Sequence, residues 1–284
     1  MTTPTTRVLV TGLTFAEGAR WHEGRLWFSD FYSQRVLAMD AEGRTETIVT
    51  VPQRPSGLGF LPDGTPLVVS MLDRRLLAIR PGGRTELVAD LREITGGPCN
   101  DMVVDGNGRA YVGNFGYEKW NGAPPKLTRI VRVDPDGSLH PTGTEILFPN
   151  GMVITPDGRT LVVGETFSER MSMYDIDDAG DLRNHRVFAQ IEGAHPDGLA
   201  LDADGAVWVA DPAGKRCRRV FEGGRIEREI TFRDSWGPYT CALGGEDRRT
   251  LYIVTCTNSG PQMADKRDGC IEAIEVDVPG AGWP

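Results

Sequence analysis

Six oxygen-bearing side chains recur at one position of a repeating frame: Glu17, Ser56, Asn100, Asn150, Asp197 and Thr240. Two are carboxylates and two are carboxamides. Hard oxygen donors of this mixed kind suit Ca²⁺, Mg²⁺ or Mn²⁺. An all-oxygen set also holds Zn²⁺, although nitrogen and sulfur ligands are more usual there. Two carboxylates balance the charge of a divalent ion, and carboxamides add ligands without excess negative charge. Asn and Asp are also ordinary turn residues, which explains Asn100, Asn150 and Asp197 taken singly. Glu17 has no such explanation, because Glu has no turn preference.

The frame that places these residues is clearest at 150–163, NGMVITPDGRTLVV. A polar leader precedes an apolar run, the pair Asp157-Gly158 follows, and a second apolar run comes after it. Two β-runs joined by Asp-Gly or Asn-Gly read as a hairpin, since these residues accept the positive φ of a tight turn. Ser56 leads to Asp63-Gly64, Asn100 to Asn107-Gly108 and Asp197 to Asp204-Gly205; Glu17 leads to Glu23-Gly24 one residue early, and Thr240 to Asp247-Arg248 without the glycine. The leaders lie about 40–50 residues apart, and a third and usually a fourth strand follow each hairpin, the signature of propeller blades. The expected fold is therefore all-β, a six-bladed β-propeller with four-stranded antiparallel blades, one domain over residues 1–284. The first strand of each blade lines the central channel, so the leaders form a ring. The sixth unit has no fourth strand of its own, and Arg7–Val10 is spare to complete it and close the ring.

Composition narrows the function. Gly 35 and Pro 19 fit many tight turns, since the hydrophobic content is an ordinary 39%. A net charge of −9 argues against a nucleic-acid surface, which needs clustered Lys and Arg. No apolar run reaches the ~18 residues that span a bilayer, so no membrane partner is expected. Met1–Arg7 carries no apolar segment of the secretory kind, and the five cysteines form no CxxC pair; reduced thiols in a cytoplasmic protein are the expectation. Cys99, beside Asn100, reads as buried filler rather than a nucleophile.

Two insertions break the rhythm at the same point of their blades: 115–126 (FGYEKWNGAPPK) and 258–268 (NSGPQMADKRD). Both are expected on one face, where loops on a rigid scaffold shape a binding site. Asn114, Tyr117 and Trp120 around the first insertion, and Thr166 after the fourth hairpin, are candidates for substrate contact, with core or rim packing the alternative for Tyr117 and Trp120. His195, two residues before Asp197, is a candidate for the channel mouth, as proton shuttle or plain loop residue. A serine-hydrolase triad is not supported: no GxSxG occurs.

The stretches FAEGARW, GPCNDMVVDGNGRAYVGNFG, FPNGMVITPDGRTLVVGET and HPDGLALDADGAVWVADP resemble the SMP-30/gluconolactonase/LRE family over nearly the whole chain. The resemblance implies one divalent cation in the channel, calcium first and Zn, Mg or Mn as alternatives, held by Glu17, Asn150 and Asp197, with Asn100 at a fourth position. It implies hydrolysis of a small lactone or ester, with Asp197 serving both the cation and the attacking water. Pro98 stands where the animal lactonase branch carries a sugar-binding Arg, which separates this chain from gluconolactone-type recognition by that branch. A phosphotriesterase of the diisopropyl-fluorophosphatase kind and a non-catalytic calcium-binding propeller are the alternative functions.

Overall fold

The computed structural model describes residues 6–233 and 235–281. Six four-stranded antiparallel sheets stand around one axis. Their inner strands are Ala16–His22, Pro55–Phe60, Cys99–Val104, Pro149–Ile154, Leu199–Leu201 and Gly237–Gly244. Five sheets run in chain order from the inside outward. The sixth is completed on its outer edge by the first strand, Arg7–Leu13, with Arg7 opposite Ala273 and Leu13 opposite Gly269. The ring therefore closes by pairing the two ends of the chain, which leaves no open edge between first and last blades.

The alternation of each strand puts one apolar face toward each neighbouring blade, and the core sits between blades. Leu58, Val68 and Ile79 pack on Val36 and Val49 of the first blade. Met102, Val112 and Val131 pack on Leu67, Val69 and Leu76 of the second. The same arrangement joins blades three to four, four to five, five to six and six to one. At the hairpin end, Gly64, Gly108, Gly158 and Gly205 all take the positive φ that the turn requires, and Arg248 adopts φ 58° where the sixth turn lacks glycine. The tail crosses this end: Ala281 N–H donates to Leu201 O and Gly280 N–H to Arg248 O.

A seventh apolar cluster lies at the opposite end and crosses the blades. Phe15 and Phe31, Met71, Phe115 and Tyr117, Phe148, and Cys256 and Met263 come from five of them. Both insertions join it, the first through Phe115 and Tyr117 and the second through Met263 in the short helix Met263–Lys266. The Tyr32 hydroxyl donates to Ser259 O, tying the second insertion to the first blade. The two loops thus emerge on one face and share one apolar roof with residues next to the inner strands. All five cysteines are unpaired and buried, and among the described residues no helix is long and apolar enough to cross a membrane.

Candidate active site at the channel mouth

The first four leaders owe their direction to a repeated irregularity, and Asp197 stands just before the regular strand Leu199–Leu201. Strand pairing slips between Glu17 and Arg20, between Pro55 and Leu58, between Cys99 and Met102, and between Pro149 and Met152. A bulge of this kind inserts unpaired residues and re-aims their side chains. The residue after the leader then lies against the next blade. A Cβ on Gly151 would sit 2.4 Å from Asp197 O and 2.7 Å from Gly198 Cα, so only glycine fits there. That contact is bridged by a hydrogen bond from Gly151 N–H to Asp197 O at 3.1 Å.

The equivalent bond one blade on runs from Gly198 N–H to Tyr239 O, at 2.9 Å. This corrects the sixth member of the ring. Tyr239, not Thr240, takes the leader's place; Thr240 lies beside Gly198, with its buried hydroxyl lacking a partner among the described residues. The displacement follows from length. The sixth blade opens with Gly237–Gly244 and Thr250–Cys256, each longer than its counterpart in the other hairpins, so counting back from Asp247 stops too soon.

Charge concentrates at this level. Glu17 is half-buried and Asp197 is buried. Burial, then the Asp197 and Asp101 carboxylates, push the Glu17 carboxyl well above the usual carboxylate range. Burial and Asp101 push Asp197 up in the same way, opposed by Lys119 and by the neighbouring Asn150 amide. Burial also raises the Tyr239 phenol, with Asp197, Cys256 and Glu17 adding to the effect. Asp197 Oδ1 and the Asn100 amide nitrogen have no hydrogen-bond partner among the described residues. Buried polar atoms without partners are uncommon, and two facing one channel can bind an ion or a water. A half turn of the Asn100 amide exchanges nitrogen for oxygen, so this position can present a donor atom to a cation.

Around the ring, several side chains hold others in place. Thr166 Oγ1 accepts from Asn150 Nδ2 at 3.1 Å and donates to Pro196 O at 2.8 Å, fixing the amide beside Asp197. Asp101 is gripped by Arg20, whose Nη2 lies 2.9 and 3.0 Å from its two oxygens, with both side chains buried. Asn114 is fully buried and bonds Arg129 O, Gly116 N–H and the Thr128 hydroxyl, so its amide anchors the first insertion. Tyr117 is packed in the roof, Trp120 lies half-exposed on Phe115, and the His195 ring edge meets Phe167. His195 N–H donates to Asp211 Oδ1, which holds the loop that carries Asp197.

Sequence reasoning did not single out Arg20, Lys119 or Tyr239. Arg20 had a signal, a charged residue in a buried inner strand. Lys119 and Tyr239 had none, since Phe148 and Phe167 on the one side and Phe15 and Asp197 on the other reach them from other blades.

The donor set fits a hard divalent cation: two carboxylates forced together without, among the described residues, a neutralising ion pair of their own, an unpartnered carboxylate oxygen and two carboxamides. Among the described residues no three His, Cys, Asp or Glu converge, so the usual imidazole or thiolate zinc site is not formed.

Fold and site together define a six-bladed propeller with an oxygen-lined ionic centre at one mouth of its channel. The sequence pattern described as the SMP-30/gluconolactonase/LRE-like region matches residues 15–257, and the chain belongs to this family. It is 28% identical to a 6-deoxy-6-sulfogluconolactonase of Pseudomonas putida, over 91% of this chain and 89% of that protein. It is 26% identical to a pentonolactonase of Haloferax volcanii, over 93% and 89%. Among solved structures, the calcium-binding protein regucalcin of Agrobacterium tumefaciens superposes with a TM-score of 0.82 at 21% identity, over 99% and 97% of the two chains, which bears on the fold alone.

Proposed function

We propose that the chain is a hydrolase of small lactones that works with one divalent cation, calcium first, held by Glu17, Asn150 and Asp197 with Asn100 as the fourth residue. The observation that carries this reading is the unpartnered Asp197 Oδ1 set among like charges at the mouth of the channel. Relatives covering nine-tenths of the chain are named as sugar lactonases, which supplies the substrate class.

When bound, the cation polarises the lactone carbonyl as a Lewis acid. The rest of the chemistry belongs to the chain. Asp197 receives the proton of the attacking water at its free oxygen. Water adds to the acyl carbon, the ring C–O bond breaks, and the departing alkoxide takes that proton from Asp197 to give the hydroxy acid, which restores the Asp197 carboxylate. Asn150, oriented by Thr166, holds the Asp197 carboxylate, and Arg20 keeps Asp101 from adding an unbalanced charge. The aromatic roof limits solvent around the developing oxyanion, where electrostatic stabilisation is strongest.

The test is turnover of gluconolactone, xylonolactone, an aryl ester and paraoxon, with and without EDTA. The reading predicts lactone opening that EDTA abolishes and calcium restores, and a loss of about a thousandfold or more in Asp197→Asn. Lactone opening that survives both EDTA and Asp197→Asn would remove the mechanism. Turnover of paraoxon with no lactone opened would move the chain to phosphotriester chemistry, and calcium binding without any turnover would make it a binding propeller.

A further inference from the structure

The first insertion places a cation where the mechanism above does not use one. Lys119 begins the single turn Lys119–Asn121, closed by the left-handed Gly122. Its ammonium sits over three aromatic rings, 5.7 Å from the centroid of Phe115, 5.2 Å from Phe148 and 5.6 Å from Phe167. The rings brace one another: Phe115 stacks on Phe148 at 4.4 Å, and Phe148 meets Phe167 at 4.8 Å. Each is tied to the site by the chain. Phe148 lies two residues before Asn150, and Phe167 directly follows Thr166, the residue that orients Asn150. Phe115 follows Asn114, which anchors the loop.

The ammonium has no carboxylate within ion-pair distance among the described residues. Its neighbour Glu118 is taken by Arg74. Asp197 is close enough for the two charges to act on each other, yet Asp197 Oδ1 remains without a partner. A lysine held on ring faces keeps its N–H donors for something else, since a π-face binds the charge without accepting conventional hydrogen bonds. A second cation lies on the same group of rings, on Trp120, whose ring is 5.2 Å from Phe115. The Arg54 guanidinium lies 5.2 Å from the Trp120 ring and 4.9 Å from Tyr32, with no carboxylate partner among the described residues, and Arg54 precedes Pro55 and the leader Ser56.

The result is a bipolar mouth: acidic at the floor, where the charges of Glu17, Asp101 and Asp197 act on one another, and cationic at the rim. Two cations at the rim have no evident purpose for a neutral substrate. They suit one that carries its own negative charge, which the acidic floor and the net charge of −9 would otherwise repel. Resting on the lactonase reading, we infer that Lys119, seconded by Arg54, recognises an anionic group on the substrate, so that the preferred substrate is a sugar lactone bearing a sulfonate, phosphate or carboxylate away from the ring ester.

The experiment compares kcat/KM for gluconolactone and for the same lactone phosphorylated on its primary hydroxyl, with the calcium-loaded full chain. Wild type is expected to prefer the phosphorylated lactone through a lower KM. In Lys119→Gln the ratio of kcat/KM, phosphorylated over neutral, falls by about tenfold or more, while Lys119→Arg keeps most of it. Arg54→Gln lowers the same ratio by a smaller factor. A sulfonated gluconolactone and a lactone carrying a free carboxylate, run as further arms, separate the three anions. An unchanged ratio, or an equal loss on both lactones, would overturn the inference and make Lys119 a counter-charge to Asp197, with the lactonase reading intact. If wild type opens neither lactone, the lactonase reading falls and this inference falls with it.

Discussion

At the residue scale, the site is a problem of charge. Glu17 and Asp197 are brought together within reach of Asp101, and among the described residues Arg20 is the one cation in direct contact with any of the three. Removing Arg20 strands a buried carboxylate, and breaking a buried ion pair from one side costs about 3–5 kcal/mol. Arg20→Met is therefore expected to lower the melting temperature of the metal-free chain sharply, and the double change Arg20→Met with Asp101→Leu to recover most of the loss. Thermal unfolding of the two variants checks this, and equal destabilisation in both would contradict it. A pH dependence follows from the same charges. The carboxyls of Glu17 and Asp197 are raised in the folded metal-free chain, so between the ordinary carboxylate range and the raised values the folded state binds more protons than the unfolded one. Their contribution to stability is then largest at low pH and declines as pH rises through the raised values. Protons and a cation compete for the same oxygens, so calcium affinity should weaken as pH falls toward the ordinary carboxylate range, with proton release on binding. Calorimetry in buffers of different ionisation enthalpy measures it; pH-independent affinity would contradict the assignment.

At the element scale, the inner strands carry the account. Five of the six are bulged so that a side chain leaves the blade, and Leu199–Leu201 alone pairs without a slip; glycines after the leaders, such as Gly151 and Gly198, let the next blade approach. Gly151→Ala would drive a Cβ into backbone on the fifth blade, at Asp197 O and Gly198 Cα, where no side chain can move aside. The expected loss is about 1–3 kcal/mol from overpacking, with weaker calcium binding because Asp197 is displaced. Chemical denaturation together with a calcium titration checks both effects. The hairpin frame was legible from the sequence because Asp-Gly and Asn-Gly turns have one strong local meaning. The role of Gly151 was not, since a glycine beside Asn also reads as a turn, and only the neighbouring blade shows that close approach is the reason. Tyr239 was missed for a related cause: the sixth hairpin is longer, and a frame counted from the turn end slips at the mouth. The shared face of the two insertions was legible from their common position in the blade. What they hold there was not, because Lys119 meets rings from three separate loops.

For the whole molecule, closure is the governing fact. The strand Arg7–Leu13 comes from one end of the chain and completes a blade built at the other, covering Gly269–Glu275. Without it that edge is open, Leu13 no longer packs beside Ala16 and Ile271, and an exposed edge strand is a template for association. A chain lacking residues 1–13 should unfold at a lower temperature and elute as aggregates in size-exclusion chromatography; a monomer of unchanged melting temperature would contradict the role given to this strand. Ring closure also fixes the distances between leaders that are far apart in sequence, which is what allows Glu17 and Asp197 to share one centre. The turn spacing and the spare first strand made this architecture readable in advance. The residues that surround the site come from five blades, and that convergence is a property of the closed ring alone.

The central claim is that one divalent cation is held by the ring residues Glu17, Asn100, Asn150 and Asp197. A calorimetric calcium titration of the EDTA-stripped chain, beside Asp197→Asn and Glu17→Gln, tests it most directly. The account predicts one binding event per chain in wild type and its loss in both variants. Calcium binding that persists undiminished in both, or none in wild type, would contradict it.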